Sequence, residues 1–499
     1  MAEGFFEILK DKVKDARFDI HVEEVGFVEE VGDGVAKVSG LSGARYNELV
    51  YFDSTNHGIV FSLKKESVDV VIVGNPGGVK AGDSVRLTGK VLSIPVSEKV
   101  LGRIINPMGR PLDGLGEIKT SDMMALDRDA PSLIERDFVR EPLYTGVKVI
   151  DSMLPIGRGQ RELIIGDSGT GKTAIAIDTI VNQKDSGVKC VYVAVGKRKA
   201  EVARVVEELK GHGAMDHTVV VVADADSSLG LKYIAPYAGA SVAEYFMLRG
   251  EDVLIVYDDL TRHADTYRSL SLLLRRPPGR EAFPGDIFYI HSSLLERAAR
   301  RHDRYGGGSI TALPIVETYA GRITAYIPTN LISITDGQIY LDLSLFNSGI
   351  LPAVDIGKSV SRIGGKTQQP AMIKVSERLK LDYAQFLEVE IFTKFGARIE
   401  EETRSLITRG ERLREVLKQP RLSPLGMPEQ VITFFILSEG YLDTVGVSRV
   451  RGYVSRLLLS IHEKSPEIIE EIETTGQLTS KREDELRTIV SEKLKEIVT

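Results

Sequence analysis

Residues Gly166 to Thr173 read GDSGTGKT. The spacing is G-x-x-x-x-G-K-[ST], in which the backbone N–H groups of a glycine-rich loop cradle phosphate and the next helix N-terminus adds its dipole. An apolar run, ELII, precedes the loop and a helical run, AIAIDTIVNQ, follows it, which is the context this chemistry requires. Gly166, Gly169 and Gly171 let the backbone curl close to a ligand, with Asp167, Ser168 and Thr170 completing the loop. Lys172 would neutralise the terminal phosphates of ATP or ADP, and the Thr173 hydroxyl would bind Mg²⁺.

A second element is VLIVYDD, Val253 to Asp259, an apolar strand ending in acids. Asp258 would hold the Mg²⁺ shell through water, and Asp259 would cap the helix that follows. The third is Lys197 in YVAVGKRKAEVARVV, where a strand, a glycine turn and a helix succeed one another. Hydrolysis needs a group that polarises water and takes its proton. An ammonium has three donors and no acceptor, so the arrangement reads as a site that binds Mg-ATP and turns it over poorly. The expected partner of Lys197 is Glu201, four residues on, as an i,i+4 pair. The fourth is Arg362 in SVSRIGG, either a surface charge or an arginine finger for a neighbouring subunit's nucleotide.

The elements that must position these residues follow from texture. Residues 1–21 space Phe5, Leu9 and Val13 as a short amphipathic helix. From 22 to 95, short β-rich runs alternate with glycine turns, as in a small β-barrel. From 96 to 372, and most clearly from about 150, strands alternate with helices, which argues for a mostly parallel, P-loop (RecA-like) α/β nucleotide-binding domain. From 373 to 499 the pattern is helical. A chain of 499 residues suits about three domains. A net charge of −7 gives no electrostatic footprint for nucleic acid, although RRPPGREAFPGD, Arg275 to Asp286, is a local basic turn suited to a subunit interface or a central shaft. The eight histidines show no metal-ligand spacing, the single Cys190 reads as a small buried residue, and no run is long enough to span a bilayer.

With these residues in place, nearly the whole chain resembles the α subunit of F-type ATP synthases, in a divergent bacterial form. The stretches that carry the resemblance are VGDGVAKVSGL, GRGQRELIIGD, GKTAIAIDTI, YDDLTRHADTYRSLSLLLRRPPGREAFPGD, ALPIVETYAGRITAYIPTNLISITDGQIYLD and SVSRIGG. The resemblance implies a ring of three α and three β subunits around a γ shaft, with δ and a peripheral stalk, attached peripherally to the cytoplasmic face of the cell membrane. It implies that chemistry occurs on β, that Lys197 stands where β has its catalytic carboxylate, and that Arg362 is the arginine α lends to the β site. It also implies that Gln419 belongs to the nucleotide site. The sequence departs from the family at Ser168-Gly169, where α subunits have Arg-Gln, at Leu351, where arginine is common, and at Arg421, where Gln is frequent. Two other readings are a self-sufficient hexameric ATPase of the secretion or RNA-translocase type, which would need its own catalytic acid, and an assembly scaffold without nucleotide, which would not need Lys172, Thr173 and Asp258.

Overall fold

The computed structural model describes residues 24–52, 56–394 and 401–498. The amphipathic helix expected over residues 1–21 lies outside the described residues. The chain divides into two compact units, one ending at Leu92 and one starting at Ser93.

The first unit is a closed six-stranded barrel. Its strands are β1 (Val25–Gly32), β2 (Val35–Ser39), β3 (Glu48–Phe52), β4 (Asn56–Leu63), β5 (Ser67–Ile72) and β6 (Ser84–Val91), paired in the order β1-β2-β5-β4-β3-β6 with β1 closing on β6. Inward residues from every strand, among them Val28, Val38, Val50, Phe52, Val60, Val70 and Val85, fill the interior. Closure leaves no unpaired strand edge, so a short β-rich segment can be stable without a helical cover.

In the second unit β7 (Ser93–Pro95), β8 (Ile104–Ile105) and β9 (Met123–Ala125) lead into β10 (Glu162–Asp167), β11 (Lys189–Val195), β12 (Thr218–Ala223), β13 (Asp252–Asp258), β14 (Ser309–Thr318), β15 (Gly337–Leu341) and β16 (Val360–Ser361). One eight-stranded sheet runs β16-β15-β10-β14-β13-β11-β12-β8, parallel throughout except for β16, which lies antiparallel to β15. The central strands are near-continuous apolar runs such as VVVV in β12 because helices cover both faces. The helix Leu229–Met247 packs against β11, β12 and β13. Cys190 is fully buried in β11, as its apolar surroundings indicate.

Helices from Pro370–Ser376 to Ser480–Val498 form the C-terminal part. Their core is continuous with one face of the sheet: Phe434, Phe435 and Tyr453 belong to the same buried cluster as Ile164, Ile177 and Val256. Polar ties reinforce this junction. Asp151, fully buried in the helix Lys148–Met153, accepts hydrogen bonds from Thr145 N (2.8 Å), Thr145 Oγ1 (2.7 Å), Gly146 N (2.9 Å) and Gln430 Nε2 (2.7 Å). Burial pushes this carboxyl up to about 6, and the hydrogen bonds oppose the rise. Replacing Asp151 by Ala strands two backbone donors and removes an acceptor from the Thr145 hydroxyl and from the Gln430 amide, which keeps its bond to Leu425 O. The expected loss is about 3 kcal/mol, seen in denaturant unfolding as a lowered midpoint, with Asp151→Asn intermediate. Wild-type stability in Asp151→Ala would show that the junction rests on apolar packing alone.

Candidate nucleotide site

The carboxyl ends of four adjacent parallel strands, β10, β14, β13 and β11, converge on one region of the sheet, the usual place for a ligand in an open α/β fold. The loop Gly166–Gly171 leaves β10 and enters the helix Lys172–Val181 through Gly171, whose φ of 101° favours glycine. No side chain caps this helix, in contrast to the helices capped by Ser228 and Asp259. Its first N–H groups are therefore available to an anion. Ser168 and Gly169 are exposed at the loop tip. The other loop side chains brace it. Thr170 Oγ1 donates to Asp167 O (2.8 Å), and the Asp167 carboxylate accepts from Thr318 Oγ1 (2.5 Å) and Gly321 N (2.9 Å). Lys172 is buried and its ammonium donates to Gly166 O (2.9 Å) and Asp167 O (2.7 Å), with Glu317 Oε1 3.8 Å away. Burial lowers the Lys172 ammonium below the ordinary lysine value, and Glu317 opposes that.

Asp258, at the end of β13, has no solvent exposure. One carboxylate oxygen, Oδ2, accepts from Thr173 Oγ1 (2.7 Å) and from Tyr192 OH (2.7 Å). The other, Oδ1, lies 2.6 Å from the Lys197 ammonium, which is also 3.3 Å from Asp259 Oδ2. The peptide between the two aspartates is cis. Asp259 caps the helix Leu260–Leu273 as expected, accepting from Arg262 N at 2.8 Å. Burial pushes the Asp259 carboxyl up to about 6, against the pull of Lys197. Burial alone would lower Lys197, but the charges of Asp258 and Asp259 outweigh it and raise this ammonium above the ordinary lysine value. A group so held is protonated at neutral pH and cannot accept a proton from water.

The expected Lys197–Glu201 pair is not formed. Lys197 precedes the helix Lys199–Gly211, and Gly196, with φ of 65°, turns the backbone so that the lysine points at the ends of the strands. Glu201 is instead the N3 residue of that helix and accepts from Arg198 N at 3.2 Å. Two buried carboxylates attract an ammonium more strongly than one solvated glutamate does.

The sequence matches the beta-barrel domain of the ATP synthase alpha/beta family over residues 21–89, its nucleotide-binding domain over 146–361 and its C-terminal domain over 368–493. The protein belongs to the ATP synthase alpha/beta family. It is 51% identical over 490 residues to a protein named ATP synthase subunit alpha from Caldanaerobacter subterraneus subsp. tengcongensis, a match covering 98% of this sequence and 97% of that relative. A protein of the same name from Dehalococcoides mccartyi is 49% identical over 497 residues, covering 99% of each of the two. The likeness to F-type α subunits is therefore borne out, as is the barrel, α/β and helical architecture.

Other family-derived positions fall outside this cluster. Gln419 is bonded within the protein: Oε1 accepts from Lys148 N (3.0 Å), and Nε2 donates to Gly146 O and Ser423 O (both 2.7 Å). Leu422 N donates to Asp178 Oδ1 (2.8 Å) at the far end of the P-loop helix, and Arg421 pairs with Glu208. Leu351 is exposed and accepts at its carbonyl from Gln419 N (2.9 Å). Arg362 is exposed, just beyond β16. Its N–H donates to Asp336 O, and β16 pairs with the first residues of β15, which align with the first residues of β10. Arg362 thus lies near the amino end of β10, about 16 Å of strand away from the loop at its other end.

Sequence reasoning missed Tyr192 and Glu317. A tyrosine in the otherwise apolar KCVYVAV is itself a signal, because a buried phenol needs a partner. Tyr192→Phe removes one donor to Asp258 and should lower stability by about 1 kcal/mol, read from thermal unfolding. An unchanged midpoint would mean that Thr173 and Lys197 suffice to hold the carboxylate.

Proposed function

We propose that this protein is the non-catalytic, nucleotide-holding α subunit of an F-type rotary ATP synthase or ATPase (EC 7.1.2.2 type). It binds ATP or ADP with Mg²⁺ in the Gly166–Thr173 loop and lends Arg362 to the catalytic site of a neighbouring β subunit. The observation that carries the reading is Lys197, a half-buried ammonium 2.6 Å from Asp258, where a catalytic carboxylate would otherwise act on water.

The residues present fit the ligand. Phosphate meets an uncapped helix N-terminus and a lysine. A threonine hydroxyl and a carboxylate in contact offer hard oxygen donors of the kind Mg²⁺ takes alongside phosphate and water. When bound, the ion would neutralise phosphate charge; Thr173 and Asp258 would hold it and Lys172 would screen the remaining oxygens. Gln419 then acts by fixing the 418–425 segment against the helices Lys148–Met153 and Lys172–Val181, a positioning role supported by its three internal hydrogen bonds.

The placement of Arg362 supports action in trans. An exposed arginine at the amino end of the sheet is far from its own P-loop and free to reach a partner. The partners in this reading are β, the γ shaft and δ with the peripheral stalk. Attachment is peripheral, at the cytoplasmic face of the membrane, through other subunits. Among the described residues no helix is long and apolar enough to cross a bilayer.

The purified protein should bind Mg-ATP with negligible hydrolysis, and Lys172→Ala should weaken that binding by about tenfold or more in titration calorimetry. Robust turnover by the isolated protein, abolished in Lys172→Ala, would favour a self-sufficient hexameric ATPase instead. In the assembled complex, Arg362→Ala should cut ATPase by about 10³-fold while nucleotide binding by this subunit stays near wild type. Unchanged complex ATPase would remove Arg362 from the mechanism.

A further inference from the structure

The Lys197 ammonium stands where a neutral side chain would leave Asp258 and Asp259 to be balanced from outside. Asp258 is already engaged within the protein: Oδ1 forms an ion pair with the Lys197 ammonium at 2.6 Å, and Oδ2 accepts hydrogen bonds from Thr173 and Tyr192 at 2.7 Å each. Asp259 Oδ2 faces the same ammonium at 3.3 Å. Both carboxylates are buried, so each ionised one needs an opposite charge nearby. In a P-loop site this balance is ordinarily provided by the divalent ion and its waters. Here it is provided by a covalently attached lysine, always present and held from the strand end by Gly196. A divalent ion arriving with nucleotide would have to share Asp258 with an ammonium of like sign, and the charge it adds is partly supplied already.

Resting on the nucleotide-holding reading above, we propose that Lys197 is a resident cation beside the metal position, so that this site retains ATP or ADP with little dependence on Mg²⁺. The device separates this site from sites that lose nucleotide when free Mg²⁺ falls. Its consequence is a ring whose non-catalytic positions stay filled, and keep their shape, through changes in Mg²⁺ that empty a metal-dependent site.

The test is calorimetric titration of ATP into the purified full-length protein, once in excess MgCl₂ and once in excess EDTA. For wild type the two dissociation constants should differ by less than about tenfold. For Lys197→Gln and Lys197→Met, each checked by thermal unfolding to be folded at the working temperature, the difference should exceed about tenfold. A wild-type affinity that collapses in EDTA overturns the proposal whatever the variants do, and so does a Mg²⁺ dependence equal in wild type and variants. Absence of ATP binding by wild type in both buffers would overturn the nucleotide-holding reading as well, which distinguishes the two failures.

Discussion

Asp258 carries a carboxylate to the end of a central strand where no solvent reaches it, and the surrounding architecture answers to that charge. An uncompensated buried anion costs several kcal/mol, so it must draw donors from whatever elements end nearby. One helix and one strand with its turn supply them: Thr173 from the P-loop helix after β10, and Tyr192 and the Lys197 turn from β11. The interaction is therefore also the tie that sets the P-loop helix against β11 and β13. Because Lys197 completes it, the group that stabilises the site is one that cannot take a proton from water.

The P-loop and Arg362 occupy opposite ends of one sheet. The P-loop lies at the carboxyl end of β10 and Arg362 near its amino end, because β16 is the single strand that runs against the others. In the proposed reading, a subunit built this way would serve two nucleotide sites at once, holding one and completing another. The helical part is joined to the first of these through the 418–425 segment, whose backbone and Gln419 side chain bond to the ends of the helices Lys148–Met153 and Lys172–Val181. Any change in nucleotide occupancy at the P-loop is thus mechanically close to the helical part.

Much of this was legible in the residues. The phosphate loop could be read because strand, glycines, lysine and helix are contiguous, and local sequence alone imposes their geometry. The barrel could be read because short strands with glycine turns have few alternatives. The partner of Lys197 could not. Periodicity pointed to Glu201, but i,i+4 pairing presumes that both residues lie within one helix, and Lys197 lies before it. Tyr192 and Glu317 were hidden for a related reason: each sits in a strand whose burial was evident but whose neighbours across the sheet were not.

Sequence by itself determined the chemical inventory and the elements: a P-loop that can hold phosphate, a strand ending in paired acids, a cation where a base would be, and a barrel, an α/β sheet and a helical region in that order. Tertiary structure alone decided who meets whom. Strand order brings β10, β14, β13 and β11 together, although they are far apart in the sequence, and only that order lets Lys197 reach Asp258 across a span of 61 residues. The strength of the pair, too, belongs to the fold, since the same two charges in water would attract by about 1 kcal/mol and acquire their weight only when the sheet excludes solvent.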